Sequence, residues 1–295
     1  MNTPKLSGFF DNEFFRRKLI LWRSVSVVLL ISLIAISFNF DNIKAPQSDY
    51  IARVAIKGFI GNDQYRLNKL NQLYNDENLK ALIIDIDSPG GSVVGGELLF
   101  NKLKQFSSKV PTIVFVGSQA TSAAYLAAIG ANHIVAPQGS IIGSIGVVMQ
   151  AANIQDLAKS LGIKPIVIKS SPLKAIPHFA EDLTPEAIES LKVLIDDIYK
   201  MFVNIVTANR NIEDSNLQEV ISGKVFTGNK ALELGLIDQV GDFASVKTYL
   251  LENDIEENTK IKEVKLKKDD VSNLFQILSP LFKLWQDNNN VFSIF

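Results

Sequence analysis

The chain has 295 residues, 47% of them hydrophobic, and carries 30 Lys+Arg against 31 Asp+Glu for a formal net charge of −1. A near-neutral chain of this size can build a large core but has no global field to draw in polyanions, so no nucleic-acid partner is expected. Cysteine is absent and His133 and His178 are the only histidines, which removes disulfides and thiolate chemistry, strains two-histidine metal sites and Ser-His-Asp arrangements, and leaves no metal or other cofactor expected.

Residues 24–40 form an apolar run of 17 residues broken only by serines and Asn39, at the short end of a membrane-spanning helix. Arg16, Arg17, Lys18 and Arg23 precede it, with Trp22 at the expected interface, while Asp41, Asn42 and Asp49 stand after it. The positive-inside bias therefore predicts residues 1–23 in the cytoplasm, a transmembrane anchor over 24–40, and the rest of the chain outside. Ala35-Ile36-Ser37 also fits the small-x-small pattern of a signal-peptide cleavage site, so a cleaved leader is the alternative, with the same export of the downstream chain.

A polar linker over 41–50 leads into a domain expected over 51–255, in which strand-like and helix-like segments alternate. Strands are expected at 51–57, 81–86 (ALIIDI), 112–116 (TIVFV), 134–136, 145–149 and 165–168, and helices at 65–74, 95–106, 121–129 and 154–161. Runs of β-branched residues without polar alternation suit strands covered on both faces, and so predict an α/β core. Thr184-Pro185-Glu186 supplies a cap, a proline at the first helical position and an acidic first turn, predicting a long helix to about residue 209. Short elements come next, with turns at Gly223, Gly228, Gly235 and Gly241. The C-terminal extension, 256–295, holds a charged strand-like piece at 260–268 and an amphipathic stretch with Leu278, Leu281, Phe282, Leu284 and Trp285, expected to pack on the domain, a neighbouring subunit or the membrane.

Chemistry concentrates between residues 85 and 180. The buried strand ending near Ile86 runs into Asp87-Ser88-Pro89-Gly90-Gly91-Ser92, whose glycines let backbone N–H groups face an incoming oxygen; a plain strand-to-helix turn with a cap fits the same residues. Ser122 comes after TIVFV and a short loop at the head of an alanine-rich helix, as nucleophile or as helix cap. A serine nucleophile needs a base. His133 directly precedes a strand with no acidic orienter nearby, which suits a surface role, and His178, in a Pro-rich loop, is the reserve candidate. Lys174 stands among Leu173, Ala175 and Ile176 with no acidic neighbour. Desolvated in such surroundings a lysine gives up its proton and becomes a base, whereas an exposed one only lays its stem over apolar surface.

DSPGG (87–91), ATSAAY (120–125), GSIGV (143–147), the Lys174 loop with LTPE (183–186) after it, and GKVFTGNKALELGLIDQVG (223–241) together resemble the signal peptide peptidase A family, short single-copy form, in order and at suitable spacing over about residues 50–250. The resemblance implies a Clp protease/crotonase-like fold of stacked ββα units behind one transmembrane helix. It implies a membrane-anchored serine endopeptidase with Ser122 as nucleophile, Lys174, 52 residues on, as general base, Ser144 as the hydroxyl that orients the lysine, and Gly90 and Gly91 as oxyanion donors. It further implies signal peptides and other apolar or misfolded peptides as substrates, a location in the bacterial inner membrane with the catalytic domain outside, and a homo-oligomeric ring whose dyad forms within one chain or between two. Many members carry Ser-Gly-Gly-Tyr where this chain has Ser122-Ala123-Ala124-Tyr125, and the two added methyl groups are expected to narrow the approach to Ser122. The alternatives are a catalytically silent assembly protein on the same scaffold and a crotonase-type acyl-CoA enzyme, for which the chain lacks a basic set to hold coenzyme A.

Overall fold

A computed structural model of the chain describes residues 18–31 and 48–266, which fall into two units dividing after Ser48. In the first, residues 18–31 form an exposed helix, α1, that covers the start of the expected anchor; the remainder of that anchor, 32–40, lies outside the described residues. Among the described residues no helix is long and apolar enough to cross a membrane. The amphipathic stretch expected after residue 273 also lies outside them.

The second unit is an α/β domain on one mixed sheet. Strands β1 (Tyr50–Lys57), β2 (Leu79–Ser88) and β3 (Thr112–Thr121) are parallel neighbours, and β3 continues into parallel pairing with β4 (His133–Ala136) and then β5 (Ile141–Gly143). β6 (Val225–Thr227) pairs antiparallel with β5, and β7 (Gln239–Val240) parallel with β4. The last strand, β8 (Lys260–Val264), pairs in parallel with β1, so residues the sequence assigns to the extension beyond 255 form an edge of the sheet.

Between the strands run α2 (Gln64–Tyr74), α3 (Val93–Ser107), α4 (Ala123–Ala128), α5 (Gln155–Ser160), α6 (Pro185–Asn209), α7 (Asp214–Val220), α8 (Gly228–Glu233) and α9 (Phe243–Glu252). Successive strand residues point to opposite sheet faces. Even-numbered Ala52, Val54, Leu82, Ile84 and Val114 join Leu99, Leu103 and Phe106 of α3 and Phe202 and Val206 of α6 in one cluster. Odd-numbered Ile51, Ala81, Ile83 and Ile113 meet Val246 and Leu250 of α9 in another. The α/β class is the direct result of this two-sided burial.

The predicted cap of the long helix is present: Thr184 accepts from the Ala187 amide and Pro185 opens α6. Two expected strands are not. Residues 145–149 and 165–168 have no ladder partner and are irregular, because β-branched content makes a strand only where another strand offers hydrogen bonds and packing. The expected helix at 121–129 starts later, at Ala123, because pairing of Ala120 with Ile142 and Thr121 with Gly143 keeps the chain extended through Thr121.

Candidate active site

The site forms where β2, β3 and β5 end side by side. The Thr121–Gly143 pairing continues into a hydrogen bond from the Ser122 amide to the Gly143 carbonyl, 2.9 Å, while the next amide, that of Ser144, donates to the Lys224 carbonyl at 2.7 Å. Ser122 and Ser144 thus stand just past adjacent strand ends, and both hold positive φ, 53° and 54°. A non-glycine residue there stores about 1–3 kcal/mol of strain, which the surrounding ladder must offset. For Ser122 the consequence is a sharp strand-to-helix turn, with ψ −125° and no capping bond from its hydroxyl, that leaves the residue half-exposed instead of folded onto α4.

Gly90 lies directly beneath this turn. With φ 106°, a methyl built on it would stand 2.8 Å from Ser122 Cβ, 2.8 Å from the Thr121 carbonyl oxygen and 3.1 Å from the Ala123 amide nitrogen. Only glycine allows the approach. Its neighbour Gly91 is packed as tightly against Ile60: the Ile60 amide donates to the Gly90 carbonyl at 2.9 Å and the Ser92 amide to the Ile60 carbonyl at 2.8 Å. Ser92 then caps α3 by accepting from the Gly95 amide.

A cavity of about 20 Å³ opens beside Ser122, lined by Gly91, Val93, Ala123, Leu126, Gly146, Val147, Ile198, Met201 and Phe202. Every lining residue except Ser122 is apolar or glycine. Of the two alanines after Ser122, Ala123 lines the cavity and Ala124 does not. The Ala123 methyl is directed at Gly96 of α3, where a second methyl would come within 2.9 Å, and Ala124 is fully buried in the core. Tyr125, also fully buried, donates to the Leu236 carbonyl at 2.8 Å and so ties α4 to the segment before β7.

Lys174 is not brought to this cavity. It sits in an exposed turn, its amide donating to the Ser171 carbonyl at 3.1 Å, with Ala175 next at φ 62°, and its ammonium has no partner among the described residues. The segment around it is pinned to itself: the Ile154 amide donates to the Phe179 carbonyl at 2.7 Å, Asn153 to the Asp182 carboxylate at 2.6 Å, and Lys169 pairs with Glu181. Its outer surface exposes apolar residues, with Val148 77%, Ile166 86% and Ile168 94% exposed, among exposed Asp156, Lys159 and Lys164. The histidines are elsewhere engaged. His133 stacks on Tyr249 at 4.4 Å and contacts Gln239, and His178 Nδ1 accepts from the Ala180 amide at 3.2 Å.

Over residues 104–254, half the chain, the sequence matches the model of Peptidase family S49. It is 39% identical over 192 residues to a Synechocystis sp. protein, covering 65% of this chain and 69% of that one. The chain belongs to peptidase family S49. Within the family it is 31% identical to protease 4 of Salmonella typhi over 57% of this chain, but spans only 27% of that longer protein. Among solved structures, a membrane protease specific for a stomatin homolog, from Pyrococcus horikoshii, aligns over 79% of this chain and 100% of its own at 18% identity and TM-score 0.43. Membership of this protease family bears out the resemblance read from the five sequence segments.

The backbone amides around this turn differ in what they bond. The Gly90 amide already donates to Ser88 Oγ at 3.1 Å and is spent. The Gly91 amide takes no part in the pairing with Ile60, and Gly91 lines the cavity. At the first position of α4, the Ala123 amide has no intrahelical acceptor, and it lies beside both Gly90 and Ser122. The sequence points to Gly90 and Gly91 together because both stand in the turn; peptide orientation separates them. The free Ala123 amide was legible in principle, since the first amides of a helix have no intrahelical acceptor. A larger cavity, about 470 Å³, is lined by Arg53, Lys57, Asp85, Glu263 and Lys265 among others and contains none of the candidate residues.

Proposed function

We propose that this S49 protease is a serine endopeptidase in which Ser122 is the nucleophile and Lys174 the general base, and that the dyad is completed between chains of a homo-oligomeric ring. The observation that carries the reading is the strained turn at Ser122, which presents a hydroxyl beside the Gly91 and Ala123 amides and an apolar cavity. Ser122 Oγ attacks the scissile carbonyl carbon while its proton passes to Lys174 Nζ. The new oxyanion accepts from the Gly91 and Ala123 amides; the C–N bond then breaks, Lys174 protonates the leaving amine, and water releases the acyl group by the same route. Ser144, on the adjacent strand end, orients the lysine.

Assembly supplies what one chain lacks. Lys174 is exposed and absent from the cavity lining, and the segment carrying it exposes an apolar surface that a second copy would bury. The small apolar cavity suits a substrate with a short apolar side chain next to the scissile bond, as in signal peptides released into the bilayer. The fold expected for this role is the Clp protease/crotonase-like one, held by residues 24–40 at the bacterial inner membrane with the catalytic domain outside. A fluorophosphonate probe tests the reading: it labels the full chain at Ser122, and neither Ser122→Ala nor Lys174→Ala is labelled or hydrolyses peptide. Undiminished hydrolysis by Ser122→Ala would remove the proposal.

A further inference from the structure

Gly90 has no side chain, a φ of 106° and a backbone free to rotate at little steric cost, so the direction of its flanking peptides must be imposed from outside. The peptide after it is held by Ile60, whose amide donates to the Gly90 carbonyl at 2.9 Å. A trans peptide points its C=O and N–H in opposite directions. The Gly91 amide is therefore turned away from Ile60 and toward the cavity that Gly91 shares with Ser122. The peptide before Gly90 is held by Ser88. This side chain is 0% exposed; its hydroxyl donates to the Gly58 carbonyl at 2.6 Å and accepts from the Gly90 amide at 3.1 Å. The hydroxyl has one proton, and the Gly90 carbonyl, at 3.4 Å, is the poorer acceptor for it. Gly58 is fixed in turn, its amide donating to the Asp87 carbonyl at 3.1 Å. One buried oxygen thus ties the end of β1 to the turn that closes on the nucleophile.

We infer that Ser88 is the positioning residue of the oxyanion turn: its buried hydroxyl, bridging the Gly58 carbonyl and the Gly90 amide, holds the turn so that the Gly91 amide faces the oxygen that becomes charged when Ser122 attacks. The inference rests on the hydrolase reading above and goes beyond it, since Ser88 touches neither substrate nor nucleophile. Without the bridge, Ile60 supplies the remaining hydrogen bond that opposes rotation of the 90–91 peptide. A flip of the 90–91 peptide would put a carbonyl oxygen where the oxyanion develops and turn stabilisation into repulsion.

The test compares Ser88→Ala with the wild-type full chain in peptide hydrolysis and in binding of two inhibitors of one sequence. A peptide aldehyde forms a hemiacetal whose oxygen occupies the oxyanion position, whereas the matching peptide alcohol binds without forming it. In Ser88→Ala, kcat falls about tenfold to a hundredfold with little change in KM, the aldehyde weakens by the same factor, and the alcohol binds as before. Ser88→Thr, which keeps the hydroxyl, recovers most of the rate. Where Ser88→Ala does not fold, Ser88→Cys, with its weaker donor and acceptor, carries the same comparison and gives a smaller loss of the same kind. Wild-type kcat in the folded variant, or equal weakening of aldehyde and alcohol, overturns the inference. Ser122→Ala measured alongside separates the failures: if it is active the hydrolase reading falls, whereas an inactive Ser122→Ala beside a fully active Ser88→Ala removes only the role of Ser88.

Discussion

Two regions of the catalytic domain carry the residues singled out by the sequence, and they differ in kind. The turn at 87–91, the turn at Ser122 and the end of β5 are interlocked at atomic contact, each held by a strand ladder or a glycine approach that admits no further atom. Between Ile145 and Thr184 the chain is largely irregular and exposed, and it is held mainly by bonds to itself. A charge-stabilising site must be preorganised before charge develops, whereas a base need only arrive in place. Under the proposed mechanism, the oxyanion half of the site would be built by folding and the base half by association.

The largest effect is expected where the first region is overpacked. Gly90→Ala places a methyl 2.8 Å from Ser122 Cβ at a φ that L side chains avoid. Hydrolysis should fall by about a hundredfold or more, with fluorophosphonate labelling lost in parallel, because both need the same oxygen bound. Normal labelling of Gly90→Ala would show that the turn is not rigid. A different signature is expected in the second region. Ile168→Glu, at a residue 94% exposed, should leave the thermal transition of the domain unmoved while it dissociates the oligomer and abolishes turnover, measured by light scattering and peptide hydrolysis. Full activity in a dissociated Ile168→Glu chain would end the distinction between the regions.

The smallest effect is expected outside both. At the start of β1 the Tyr50 hydroxyl donates to Asp76 at 2.7 Å and holds that carboxyl below the usual carboxylate range, while burial and then the same carboxylate push the tyrosine up. A carboxyl whose folded pKa is depressed contributes stability above its unfolded pKa and loses it as pH falls through the folded value. Asp76→Asn should therefore cost at most about 1 kcal/mol at neutral pH, discounted because the carboxyl is only partly buried, and the difference from wild type should shrink below about pH 4. Thermal denaturation against pH checks this, with hydrolysis per folded molecule unchanged.

How far the sequence could be read tracked the same division. ALIIDI and TIVFV announced buried strands because burial on both faces leaves a continuous apolar run, and Thr184-Pro185 announced the long helix because caps are local chemistry. Apolar residues at 145–149 and 165–168 carried the same signal without the same outcome, since a strand depends on a neighbour that only the tertiary fold supplies. The edge strand β8 was legible as a charged strand-like piece, but its place beside β1 was not, because an exposed edge rich in Lys and Glu has no buried run to tie it to the domain. Within the site, residue types were legible and backbone directions were not. Ser122 and the glycine turn stood out by motif, but that Gly90 spends its amide on Ser88 depends on a peptide orientation that no spacing encodes.

The most direct measurement mixes two inactive chains. Ser122→Ala supplies Lys174 without a nucleophile and Lys174→Ala supplies Ser122 without a base; the two are dissociated together, reassembled, and assayed for peptide hydrolysis against each variant alone. If the dyad is completed between chains, mixed oligomers contain sites that pair Ser122 of one chain with Lys174 of the next, and activity returns. If it forms within a chain, no mixture contains a complete site, and activity that stays at the level of the separate variants would contradict the account.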